Sequence, residues 1–92
     1  MQQETAETIA LRVLAWLVAR DDLLPVFLGA TGASLADLRS RAGEPEFLIS
    51  VMDFLLMDDA WVLEFAGAAG LWPTDAAEAR QALPGGGQVH WT

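Results

Sequence analysis

The sequence predicts an all-α protein, a compact bundle of five or six short helices. Three observations predict it. Alanine and leucine supply 16 and 14 of the 92 residues, and both favour helix. Apolar residues recur every three or four positions and not every second one. A shift of 38 residues aligns the two halves without a gap, FLGATG (Phe27 to Gly32) falling on FAGAAG (Phe65 to Gly70). The repeat predicts two three-helix units related by a pseudo-twofold, packed as a bundle because two copies make too short a solenoid.

The elements follow in order. Helix 1 is expected from about Thr5 to Arg20, with Ile9, Val13 and Leu17 on one stripe and Ala10, Leu14 and Val18 on the next. Trp16 widens this apolar face, and Thr8 and Arg12 leave a narrow polar strip. Asp21 or Asp22 is expected to cap helix 2, Leu23 to Thr31, with Pro25 in its first turn and Gly32 past its end. Ser34 opens helix 3, with Asp37 completing a capping box, and the helix should stop at Gly43. Pro45 opens helix 4, which turns Phe47, Leu48, Val51, Phe54, Leu55 and Leu56 inward. Asp58 or Asp59 caps helix 5, ending at Gly70, and Thr74 caps helix 6, ending before Pro84. The ordered domain is expected over residues 1–84, and the Gly-rich stretch 85–92 reads as a flexible tail.

Helix 2 has no polar residue between Leu23 and Ala30, and helix 5 has only Glu64 between Ala60 and Ala69. A helix apolar all round is ordinarily buried all round, so both are expected at the centre of the core. The alternative is that one side of them forms a groove or dimer face. Gly29 and Gly67, each in a last helical turn, suggest close approach between these two helices. On that reading a Gly67→Leu substitution should destabilise the fold.

Composition excludes much chemistry. Without Cys there is no disulfide framework, thiol nucleophile or zinc finger. Without Lys there is no Schiff base and no P-loop. His90, the single histidine, lies in the tail and cannot complete a triad or a multi-histidine metal site. No catalytic, cofactor-binding or metal-binding residue is assigned. Asp21-Asp22 and Asp58-Asp59 read as helix caps and not as a cation site. Asp53 falls on a solvated strip with Glu46 and Ser50, within reach of an arginine such as Arg39.

Thirteen acids against five arginines give a net charge of −8, which argues against nucleic acid and anionic membrane surfaces as partners. No apolar run is long enough to span a bilayer, and the Met1-Gln2-Gln3-Glu4 start lacks a basic leader region. A cytoplasmic protein is expected. A mean hydropathy of +0.31 is high for so small a domain, and a chain this size leaves apolar surface in solvent. Trp61, Trp72 and Trp91 are the candidate interaction residues.

The run EPEFLISVMDFLLMDDAWVLEF (Glu44 to Phe65), with Leu14, Leu17, Phe27-Leu28, Gly32 and Leu38-Arg39, carries a family resemblance. Over about Ile9 to Pro84 the chain resembles the small alphaproteobacterial family of unknown function numbered 3572. The resemblance implies a bacterial, cytoplasmic, helical protein and transfers no site residue. The function expected is a small non-catalytic interaction module, a homodimer or an adaptor binding a protein partner. The alternatives are an enzyme working through carboxylates such as Asp53 or Glu64, and an acidic mimic of nucleic acid.

Overall fold

The structure, a computed structural model, describes residues 1–84. The expected tail over 85–92, with His90 and Trp91, lies outside the described residues. Six helices and no strand occur among the described residues: α1 (Gln3–Val18), α2 (Leu24–Thr31), α3 (Leu35–Ser40), α4 (Pro45–Leu55), α5 (Asp59–Ala69) and α6 (Pro73–Ala82). The all-α bundle is therefore observed. None of these helices is long and apolar enough to cross a membrane.

Local chemistry sets most helix ends as expected. The Ser34 hydroxyl accepts from the Asp37 N–H at 3.2 Å, and the Asp37 carboxylate accepts from the Ser34 N–H at 2.9 Å. This closes two of the donors a helix start leaves open. Asp58 caps α5 by accepting from the Ala60 N–H at 2.8 Å. Pro45 stands in the first turn of α4, where its missing N–H costs no bond. Gly32 and Gly70 end α2 and α5 with φ of 74° and 71°, a left-handed conformation in which a Cβ would be crowded.

Three ends differ from expectation. Leu23 occupies the N-cap of α2 without a side-chain bond, because the Asp22 carboxylate is held by Arg20 instead. α3 stops at Ser40, with Arg41 at its C-cap. Thr74 lies inside α6; the start is closed by the Asp75 carboxylate, which accepts from the Trp72 N–H at 2.9 Å.

The core is organised around α1 and α4. Each packs extensively on the other or on α6, while α2, α3 and α5 lie outside. Val13, Leu17, Val51, Met52 and Leu55 are fully buried. α6 carries only two small residues to this centre along its length, Ala76 and Ala79, opposite an α1 that buries Ala6 and Ala10. Short side chains let helix backbones approach closely. Phe27 is the single fully buried residue of α2; its ring meets Phe47 at 6.2 Å and Phe54 at 5.3 Å, both edge-on, the arrangement aromatic quadrupoles favour.

The central placement expected for the second and fifth helices is thus overturned. α2 buries only Phe27, and α5 only Val62, Phe65 and Ala66. A helix without polar residues still has only one face that a six-helix core can cover. The close approach at Gly29 and Gly67 is also absent: a Cβ built on either would meet nothing within 4 Å.

Two pairs of positions 38 residues apart are alike in local structure. Gly32 and Gly70 adopt the same conformation, and Asp37 and Asp75 make the same backbone bond. Packing diverges beyond that. α6 joins the core, whereas α3 buries Leu38 alone.

Candidate functional site

No grouping of three or more His, Asp or Glu positioned for a metal ion occurs among the described residues. The serine hydroxyls are spent on their own helices: Ser34 in its cap, Ser40 donating to the Ala36 carbonyl and Ser50 to the Glu46 carbonyl. Surface apolarity and the ionic groups around it make up the candidate site.

Four large apolar side chains project from the surface: Leu35 of α3 at 61% exposure, Met57 after α4 at 71%, Leu63 of α5 at 59%, and Trp72 before α6 at 77%. Val18 of α1 and Val26 of α2 are about half exposed. For Val26, Leu35 and Leu63 the position follows from the packing: each outer helix gives one face to the rest of the bundle and has apolar residues left over, while Met57 and Trp72 stand in the connections that flank α5.

The tryptophans divide. Trp61 is half-buried and stacked on Phe54, with centroids 4.7 Å apart and planes 20° apart. Trp72 is exposed and contributes only its backbone N–H to the start of α6. The two stand at opposite ends of α5, whose residues span roughly 16 Å, so they do not form one patch. Trp91 lies outside the described residues. Trp16, expected in the core, is half-buried; it meets Phe65 edge-on at 5.8 Å and carries the Arg20 guanidinium 4.9 Å above its ring.

The arginines organise the surface charge. Arg20 forks onto Asp22, both bonds at 3.0 Å, and reaches Glu64 at 3.4 Å. The Arg20 bond holds the Asp22 carboxyl below its ordinary range, and Asp22 in turn raises Arg20. The Ser34 N–H does the same for Asp37, lowering it. Arg12 donates to the Ala69 carbonyl at 2.8 Å, closing the end of α5 from α1. Arg41 pairs with Glu44 and lies over the Phe47 ring. Asp53 does sit on an exposed strip, but its partner is Arg80 of α6 at 2.6 Å and not Arg39. The Arg80 Nη1 is buried without a partner. Arg39 has no hydrogen-bond or ion-pair partner among the described residues.

Clefts run between the helices. One, of about 250 Å³ between α1 and α5, is floored by Trp16 and Phe65 and walled by Ala15 and Ala68. A second, of about 270 Å³ between α2 and α4, is lined by Thr31, Ser50 and Asp53 beside Phe54 and Met57. A third, of about 280 Å³, lies between α1 and α3 and is lined by Leu14, Val18, Leu35, Leu38 and Arg39. Sequence reasoning did not single out this last set. The available signal was Leu35, directly after the Ser34 cap: the first residue of so short a helix has little chance of burial.

No curated protein and no solved structure matches the chain. The model of the family described as a protein of unknown function (DUF3572) matches residues 3–86, and the chain belongs to that family.

Proposed function

We propose that this protein is a small non-catalytic interaction module of the bacterial cytoplasm, working through a protein partner or a second copy of itself. The observation that carries the reading is the projection of Leu35, Met57, Leu63 and Trp72 from a domain of 9.9 kDa. Single exposed apolar residues are ordinary on a protein surface. Several large ones on so small a domain, beside apolar clefts, are the composition of surfaces that become covered. The net charge of −8 favours a protein partner over nucleic acid.

The test joins two measurements on the full chain. A tagged copy is used to enrich partners from lysate, and absolute mass is followed by light scattering from micromolar to millimolar concentration. A specific partner, or a dimer that grows with concentration, supports the module. A chain that stays monomeric and enriches nothing ends the reading.

A further inference from the structure

We infer that the cleft between α2 and α4 is the docking site for an arginine side chain of a partner polypeptide. The inference rests on the interaction-module reading and names the chemistry of that partner.

The first ground is the hydrogen-bonding inventory. The cleft, of about 270 Å³, is lined by Thr31, Ser50 and Asp53 with Ala30, Phe54 and Met57. Both hydroxyl protons are spent. Thr31 Oγ1 donates to the Phe27 carbonyl at 2.8 Å, and Ser50 Oγ donates to the Glu46 carbonyl at 3.3 Å. These hydroxyls are left with lone pairs to offer. Asp53 gives Oδ1 to Arg80 at 2.6 Å, while its Oδ2 has no partner among the described residues. Arg80 reaches the carboxylate from α6 and is not part of the lining. Every side-chain polar group that lines the cleft is thus an acceptor, so an occupant must bring the donors.

The second ground is charge. Ala30 and Thr31 end α2, and Asp53 and Phe54 lie in the last turn of α4. Two helix C-termini, each with partial negative charge, therefore meet beside a carboxylate. The carbonyls of Ala30 and Thr31 accept no backbone bond among the described residues. Glu46, one turn before Ser50 on the same face of α4, adds a second acid. The clefts between α1 and α5 and between α1 and α3 each carry an arginine, whereas the lining here holds no cation.

The third ground is the mixture of surfaces. Ala30, Phe54 and Met57 make half of the lining apolar. A hard divalent ion takes about six to eight oxygens, and this cleft has one carboxylate. Arginine suits both halves. Its planar fork presents several donors, its charge is permanent and weakly hydrated, and its methylene stem covers apolar surface. The net charge of −8 draws a basic segment in from a distance.

The experiment titrates the full chain with a capped glycine–arginine–glycine peptide and with its citrulline counterpart, the neutral isostere. Binding is followed through the methyl signals of Ala30, Thr31 and Met57. The arginine peptide should move these signals together to saturation, and the citrulline peptide should bind roughly tenfold more weakly or less. Asp53→Asn would also break the Arg80 pair, so the deciding variant is Met57→Lys. Met57 is 71% exposed, and an ammonium carried there meets the same acceptors from within the chain. This variant should weaken the arginine peptide roughly tenfold. Leu63→Lys, the same change of net charge on α5, should leave binding within about twofold, since exposed charges are screened over about 8 Å. Unchanged thermal midpoints will show that both variants fold. Equal binding of the two peptides overturns the inference, as does equal weakening by the two variants. Movement of these methyls with protein concentration alone assigns the cleft to a second copy and overturns it too. A captured partner whose binding survives Met57→Lys overturns this site and spares the module; a monomer that captures nothing removes both.

Discussion

Replacing Gly67 by alanine should stabilise this protein. Gly67 lies within α5, two residues before its last residue Ala69, and is exposed. Its φ is not positive, and a Cβ there would meet nothing within 4 Å. The substitution therefore adds no clash and removes backbone freedom from the unfolded chain. Glycine within a helix costs about 0.5–1 kcal/mol relative to alanine. For a domain of this size that corresponds to a rise of roughly 2–8 °C in thermal midpoint. Gly70→Ala is the internal contrast. It is equally open, but its φ of 71° places a Cβ in the left-handed region, costing about 1–2 kcal/mol. Thermal unfolding followed by circular dichroism, with the two variants beside the wild type, gives opposite signs if the reasoning holds. A Gly67→Ala midpoint below the wild type would mean that another backbone lies against α5, the arrangement the glycine spacing first suggested. The whole account of α5 as an outer helix would then fail.

Phe27→Ala should cost about 3–5 kcal/mol, since the ring is fully buried against Phe47 and Phe54; a urea midpoint close to the wild type would show that α2 is not anchored through it. Asp53→Ala should destabilise more than Arg80→Met, because the first leaves a guanidinium with a buried, partnerless Nη1 and the second removes that donor; the order of the two urea midpoints decides the matter. Asp37 has a lowered pKa in the folded protein, chiefly from the Ser34 N–H. Its contribution is present above the ordinary carboxylate range and is lost as pH falls through the depressed value. Asp37→Asn should therefore lose less stability than the wild type between neutral and strongly acidic pH, and equal losses would refute the capping-box assignment.

Helix ends were the most legible part of this sequence, because each depends on a few neighbouring atoms. Pro45, the Ser34–Asp37 pair, Asp58 and the two left-handed glycines needed no knowledge of the fold. The error at Asp22 has the same local origin: a capping carboxylate and an ion-pairing one look alike until Arg20 is seen to turn back onto it. What could not be read was which helices hold the centre. α2 and α5 have apolar residues on every side, so their sequences mark no inward face. The inward residues of α6 are alanines, which mark no face strongly, and burial of Ala76 and Ala79 depends on how closely α1 can approach.

The candidate surface was legible in kind and not in place. High apolarity with few polar positions announced an uncovered face, and tryptophan content suggested where to look. Trp61 turned out to be half-buried against Phe54, and Trp72 stands apart from it at the far end of α5. The α1–α3 cleft emerges only when Val18 and Leu35, far apart in sequence, are brought together by the chain reversal through α2.

Methyl-resolved NMR over a concentration series tests the central claim most directly. The methyl signals of the exposed Leu35, Met57 and Leu63 should shift or broaden as concentration rises or as a captured partner is added, while those of the buried Leu17, Val51 and Leu55 hold still. A spectrum unchanged at every methyl, up to millimolar concentration and with every captured protein, would contradict an interaction surface built on these side chains.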